Sequence, residues 1–457
     1  MRVELSVPIS IQSVCDRIKA PPKKDLCSMI YAISTDTREC KQGDLFIALE
    51  GKNDSGEKYV NDALKKGCAV ISSQDGRDII SVKDTATALL DIAGLYKTII
   101  NPKYTVAVTG SVGKSTTLKF LSKTLGKTFV SHCTKGNYNN QIGVPLTVLS
   151  MDKSTELLII ELGMNHKNEI SELSKCVCPN ISIITSVGTA HIGYLGCREE
   201  IAKAKLEILD GMKTPRLIVP DNEQLLTHAK GRLTVGRNSS LSDFSLNDTG
   251  SDRFSFVSAY GTIDDLNFFT ATEHLLIDLS YAISTAQILG VPKRSIQDGV
   301  SAINESDLRQ RFIRLQNYTI FDDSYNASRE SILADFNYLS KLKRPIGAFL
   351  GDILELGDNS EDIHEHIGYA AAKIKIDHLY LFGEYAEYTA RGAINGGMDS
   401  SKIFINTDKN DPYISIDHIK RNSSYGETIL FKASHKLRFD KLADQLVEEE
   451  RAKDGRI

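Results

Sequence analysis

Val106-Ala-Val-Thr-Gly110-Ser111-Val112-Gly113-Lys114-Ser115-Thr116 decides the reading of this chain. An apolar run of β-type residues ends in a glycine turn, and Lys-Ser-Thr then opens a stretch with helical pattern. That order builds a phosphate cradle. The glycines let backbone N–H groups approach phosphate oxygens, the lysine neutralises charge, the serine hydroxyl can hold Mg²⁺, and the helix start adds the positive end of its dipole. The common P-loop has four residues between its glycines, whereas Gly110 and Gly113 enclose two. A chance glycine turn is the alternative; the strand before it and the helix after it both speak against that.

Outward from the loop, residues 102–308 alternate apolar runs (Leu157–Ile160, Ile181–Ile184, Leu217–Val219) with helical stretches, a pattern that argues for a mostly parallel sheet covered by helices. Residues 239–265 turn polar and read as short antiparallel strands or an exposed loop. From Arg309 onward, the runs Tyr318–Phe321, Ile346–Leu350, His378–Phe382, Ile403–Ile405 and Thr428–Phe431 read as a second doubly wound unit. Residues 1–101 hold short mixed elements, among them Asp44–Leu49, and Ile100-Asn-Pro102 is a linker. The expectation is an α/β protein of three domains: a small mixed α/β domain (1–101), a central P-loop ATPase domain (102–308) and a C-terminal Rossmann-like domain (309–457). The end near Glu448 reads as a fraying helix.

Composition narrows the class. A net charge of −4 and a pI near 6.2 give no basic footprint for nucleic acid or an anionic membrane. No apolar run approaches the ~20 residues that span a bilayer, and the N-terminus lacks a secretory pattern. The eight cysteines are scattered, with Cys176 and Cys178 too close for a usual zinc pair. These features fit reduced thiols in a cytoplasmic protein, expected to act as a monomer.

Beyond the loop, Glu161 closes an apolar strand, where α/β sheets bind ligands, and with Ser115 it could hold Mg²⁺; a capping or salt-bridged glutamate is the plain alternative. His191, just past another strand end, reads equally as a structural histidine. Lys205, in Ile201-Ala-Lys-Ala-Lys205, reads by default as a solvated helix lysine.

With these residues in hand, the chain resembles the Mur ligase family from about Ser34 to Leu446. The resemblance rests on Ser34-Thr-Asp36-Thr-Arg38, Gly43-Asp44-Leu-Phe-Ile-Ala-Leu49, the shortened P-loop, Thr134-Lys-Gly-Asn137-Tyr-Asn139-Asn140, Asp322-Asp323-Ser-Tyr-Asn326 and Gly351-Asp352-Ile-Leu-Glu355-Leu-Gly357 followed by His364. Several of these are specific to the branch that adds D-alanyl-D-alanine. The resemblance implies an ATP-dependent, ADP-forming amide ligase of peptidoglycan precursor synthesis, with a UDP-linked muramoyl tripeptide and D-alanyl-D-alanine as substrates. It implies Lys114, His191 and Lys205 as catalytic-centre residues. Ser115, Glu161, His191 and Lys205 would serve two Mg²⁺ ions, with Lys205 carbamylated by CO₂. It assigns adenine contact to His274 and the position of Asp278, an ATP-phosphate arginine to Arg309 or Arg311 (the spacing fits Arg309 slightly better), and ribose contact to Asp323.

The chain also departs from the family pattern. Asp278 stands where asparagine is usual, and a carboxylate cannot donate as an amide does. Glu57 stands at a histidine position, Arg329 at a proline and His435 at an arginine, which removes a fixed charged fork. These changes keep open a divergent ligase that couples another amino acid or dipeptide. A nucleotide-binding regulator without turnover is disfavoured by the joint presence of Ser115, Glu161, His191 and Lys205.

Overall fold

The computed structural model describes residues 1–21, 28–51, 54–250, 252–269, 272–304, 310–406, 408 and 410–453. The P-loop strand, Tyr104–Thr109, runs parallel between Leu157–Glu161 on one side and Ile181–Ile184 on the other. All three are mostly apolar and almost wholly buried, because both faces of a parallel sheet are covered. Alternate side chains enter different cores: Val106, Val108, Leu157 and Ile159 face one, and Ala107, Leu158 and Ile160 the other.

These strands belong to a nine-stranded sheet that runs in the order Gly261–Asn267, Arg253–Ser258, Phe244–Gly250, Arg232–Arg237, Leu217–Pro220, Ile181–Ile184, Tyr104–Thr109, Leu157–Glu161, Ser131–Cys133. From Tyr104–Thr109 the chain builds to one edge, then crosses back and builds the other way, so the loops after Thr109, Glu161 and Ile184 open a crevice at a topological switch point. The last three strands, Phe244 to Asn267, form an antiparallel meander, one of the two forms expected of that polar stretch.

A five-stranded sheet precedes it, with strands Arg2–Ser10, Met29–Ser34, Leu45–Ile47, Ala69–Ser72 and Ile79–Ser81 in sequential order. Helix Thr85–Ile100 joins the two sheets physically. Asp84 caps its start, Asn101 ends it in the left-handed conformation (φ +54°), and its buried face, including Leu89, Ile92 and Tyr96, lies in one apolar core with the first sheet and with helices Gly143–Leu149 and Glu169–Val177. On the opposite face of the central sheet, the P-loop helix Lys114–Leu125 packs on helices Glu273–Ile288 and Lys293–Ser301.

The third sheet, in the order Arg311–Arg314, Tyr318–Asp322, Glu427–Lys432, Ile346–Leu350, His378–Leu381, Ile403–Ile405, is parallel except for its first pair. Chain order skips from Tyr318–Asp322 to Ile346–Leu350 around Glu427–Lys432, a second switch point, and its strand ends face those of the central sheet. The helix Phe439–Lys453 closes the chain's described part. Among the described residues, no helix is long and apolar enough to cross a membrane.

Candidate active site

The loop after Thr109 needs its glycines. Gly113 caps the helix with φ +90°, and a Cβ there would lie 2.5 Å from Asp278 Oδ1. The loop is stitched to the end of the neighbouring strand: Ser111 N donates to Ser186 O (3.1 Å), Val112 N to Ser186 Oγ (2.9 Å), and Gly188 N to Ser111 Oγ (2.8 Å). Lys114 folds back, its Nζ donating to Gly110 O at 2.8 Å. The cradle is thus fixed before any anion arrives.

Glu161, buried at its strand end, accepts from Ser115 Oγ at 2.6 Å and from Asn139 Nδ2 at 2.8 Å. Asn139 is held in turn, its carbonyl accepting from Gly163 N at 2.7 Å, while Asn140 Oδ1 caps Gly143 N at 2.8 Å. The motif at 134–140 thereby acts as the bracket for the strand-end carboxylate.

His191 and Glu355 meet across the junction of the two sheets, Nδ1 to Oε2 at 2.8 Å, out of line with hydrogen-bond geometry. Beside them Gly193 N donates to Glu355 O (3.1 Å), and Thr189 Oγ1 donates to Glu330 Oε2 (3.1 Å). Lys205, on helix Arg198–Leu206, is 1% exposed. Among the described residues its Nζ makes no hydrogen bond or ion pair; burial, and then the charge of Lys114, push its pKa well below the usual lysine range. The solvated helix lysine that its sequence suggests by default is therefore corrected.

At the other end of the crevice stand His274, Asp278 and Asp323. Burial pushes Asp278 well above the carboxylate range, against the opposing donation of Thr117 Oγ1 at 3.2 Å. Burial favours the neutral acid, which offers one donor and one acceptor, the set that asparagine offers at this position. Burial also lowers the pKa of His274, with Asp323 opposing. Asp323 is ion-paired with Lys432, itself 1% exposed and 3.0 Å from Asp335 Oδ2. Arg311 is held by Asp322 (2.5 Å) and Asp444 (2.9 Å) within the C-terminal sheet and its last helix. Arg309 lies outside the described residues.

One cavity of about 400 Å³ between the central and C-terminal sheets brings most of these together: residues 111–116, Glu161, His191, His274, Asp278 and Asp323 all line it. Gly110 and Lys205 stand outside its lining. Sequence reasoning assigned no role to Asn139, Glu355 or Lys432, which line it too; Asn139 and Glu355 sit in quoted motifs, and Lys432 directly follows the run Thr428–Phe431, which was the available signal. Of the departures, His435 lines the cavity rim and its Nδ1 donates to Tyr325 O (3.1 Å), while Glu57 lies in the first sheet's loops, accepting from Ser72 and from Ser73 N and Oγ at 2.8 and 2.9 Å.

A P-loop on a parallel sheet, facing a second doubly wound sheet across a cavity, defines a nucleotide-dependent α/β enzyme. Comparison with known proteins gives the family. Residues 108–280 match the Mur ligase middle domain, and residues 29–102 match the Mur ligase family catalytic domain. The chain is 32% identical over 436 residues to the UDP-N-acetylmuramoyl-tripeptide--D-alanyl-D-alanine ligase of Bacillus subtilis, covering 92% of this chain and 94% of that one. It is 30% identical over 438 residues to the Rickettsia prowazekii protein of the same name, covering 90% and 94%. The structure of MurF from Acinetobacter baumannii matches with a TM-score of 0.85 at 27% identity over 98% of this chain and 100% of that one. The chain belongs to the Mur ligase family.

Proposed function

We propose that this protein joins D-alanyl-D-alanine to UDP-N-acetylmuramoyl-tripeptide with hydrolysis of ATP to ADP and phosphate, as a cytoplasmic monomer in peptidoglycan precursor synthesis. The observation that carries this reading is one cavity in which the phosphate loop and Glu161 face Asp323, Lys432 and Glu355 of the opposite sheet. Near-full-length similarity to ligases named for that reaction supports the choice of substrates.

The donor set fits Mg²⁺. Ser115 Oγ and Glu161 Oε2 are two hard oxygens 2.6 Å apart at the cavity wall. Among the described residues no group of three or more His, Cys, Asp or Glu could hold a metal unaided, the arrangement expected of Mg²⁺ held by one carboxylate and substrate phosphates. A second Mg²⁺ is assigned to His191 and Lys205. An ammonium at Lys205 would repel it, but the buried amine, with no hydrogen bond or ion pair among the described residues, is the form that adds CO₂, and the carbamate so formed would be an anion. When bound, the metal spreads the negative charge of the transferring phosphoryl group.

The chain's own residues then do the following. The loop from Gly110 to Thr116 and Lys114 hold the triphosphate, and His274, Asp278 and Asp323 receive the nucleoside. A carboxylate oxygen of the tripeptide attacks the γ-phosphorus, the bond to ADP breaks, and an acyl phosphate results. The dipeptide amine attacks the acyl carbon, the C–O bond breaks, and phosphate leaves with the amide formed. Alignment of three reactants between two sheets is the main work, worth about 7–11 kcal/mol in well-oriented cases.

Phosphate release with ATP and both substrates tests this. Release that requires both supports it. Silence with D-alanyl-D-alanine but turnover with another amine favours the divergent ligase to which the changes at Glu57, Arg329 and His435 point.

A further inference from the structure

A buried ion cluster stands behind the nucleoside end of the cavity, and no step of the proposed reaction uses it. Lys432, at the end of strand Glu427–Lys432, and Asp335, on helix Arg329–Leu339, are each 1% exposed, and Asp335 lies outside the cavity lining. Lys432 Nζ meets three acceptors: Asp335 Oδ2 at 3.0 Å, Asp323 O at 3.3 Å, and Asp323 Oδ2. An ammonium carries three N–H donors, so this set occupies it fully.

Gln310 completes the group. Its Nε2 donates to Asp335 Oδ1 at 2.9 Å and reaches Asp323 Oδ2 at 3.5 Å, which sets the way its amide points. Lys432 and Gln310 thus grip Asp323 by the same oxygen, while the Asp323 side chain stays 15% exposed and lines the cavity. Asp335 is the member that holds both of them. Burial raises its pKa well above the carboxylate range, with Lys432 opposing and Asp323 adding to the rise. Burying a second carboxyl group beside Asp323 costs stability unless its bonds are used. Without it, Lys432 Nζ would lose one acceptor of three and could swing to the other Asp323 oxygen.

The inference rests on the ligase reading, in which Asp323 receives the ribose of ATP. We propose that Asp335 is a positioning residue for the nucleotide sugar: by holding Lys432 and the Gln310 amide on one oxygen of Asp323, it keeps the other oxygen turned into the cavity for a ribose hydroxyl, and it thereby sets the preference for ribose over deoxyribose. Asp335 itself touches no substrate; it acts through Lys432 and Gln310.

Calorimetric titration of ATP, 2′-deoxy-ATP and 3′-deoxy-ATP with Mg²⁺ into wild type, Asp335→Asn, Asp335→Ala and Asp335→Leu tests this. A hydrogen bond to a charged acceptor is worth about 10- to 100-fold in binding, so wild type should bind ATP tighter than at least one of the analogues by about that ratio. Asp335→Ala should lose most of this preference, and Asp335→Leu, which has a similar shape and no acceptor, should lose it as well, so the test stands if one of the two does not fold. Asp335→Asn keeps acceptors for Nζ and for Gln310 and should retain most of the preference. A purely structural role would weaken the three nucleotides alike and leave their ratio unchanged. If wild type binds no ATP, the ligase reading falls; if it binds all three nucleotides equally, the ribose role of Asp323 falls and that of Asp335 with it. If wild type discriminates and the alanine and leucine variants do so to the same degree, the positioning role alone is overturned.

Discussion

Replacing Asp278 with asparagine should stabilise the protein, and increasingly so as pH rises. Asp278 is buried, its only described hydrogen bond comes from Thr117, and burial raises its pKa well above the carboxylate range. In the unfolded chain the same group titrates near 3.9. Between those two values the folded state holds a proton that the unfolded state has released, so unfolding stability falls with pH at 2.303RT, about 1.4 kcal/mol per unit. The penalty is absent below the unfolded pKa and levels off above the folded one. Asparagine has the same shape and no proton to hold, so Asp278→Asn removes the slope. For a unit of about 150–250 residues, 1 kcal/mol shifts Tm by roughly 2–4 °C, and the gap between variant and wild type should widen by about 3–6 °C per pH unit through that interval. The neighbouring Tyr281, whose hydroxyl donates to Thr185 O at 2.9 Å and whose pKa burial also raises, stays neutral throughout and cancels in the difference. Differential scanning calorimetry of both proteins from pH 5 to 8 measures the gap. Parallel Tm curves would refute the reasoning, because they would mean that ionised Asp278 has a compensating partner. ATP affinity near neutral pH should be unchanged or improved, since the neutral acid and the amide present the same donor and acceptor.

Lys205→Ala should nearly abolish turnover while leaving ATP binding within a few fold by calorimetric titration; recovery with added short carboxylates marks the carbamate role, and near-normal activity without them rules it out. Lys432→Ala should cost about 3–5 kcal/mol, since it strands Asp323 and Asp335 in a buried site; urea unfolding measures the loss, and Asp335→Asn added to it should recover part.

The strands that carry the site were legible because most are buried and rich in apolar residues: Val106 to Thr109, Leu157 to Glu161 and, in the C-terminal sheet, Ile346 to Leu350, Leu379 to Phe382 and Ile429 to Phe431. The strands that the sequence concealed are those that packing does not require to be apolar. Arg311–Arg314 is a mostly exposed edge strand, and Ser131–Cys133 is three half-buried residues at the opposite sheet's edge. Side-chain roles set by a partner far along the chain were equally hidden. Glu57 reads as a lost histidine until Ser72 and Ser73 are seen to donate to it, and the ion pairs of Arg311 with Asp322 and Asp444 join residues that no spacing relates.

Lys205 is the instructive case, because its burial was within reach of helical period alone. Its neighbours Glu199, Glu200 and Lys203 are charged, and Lys203 pairs with Glu200 at 2.5 Å on the solvent side. Yet Ile201, Ala204, Lys205 and Ile208 stand at i, i+3, i+4 and i+7, the spacing of one helix face, and all four are buried. A lysine written into an apolar stripe either reaches a carboxylate or gives up its charge, and among the described residues no carboxylate pairs with it. A buried lysine within reach of the Lys114 charge is a costly thing to keep for packing that a leucine would do better. On the function proposed above, that cost serves chemistry: burial favours the uncharged amine, the form that CO₂ converts to a carbamate.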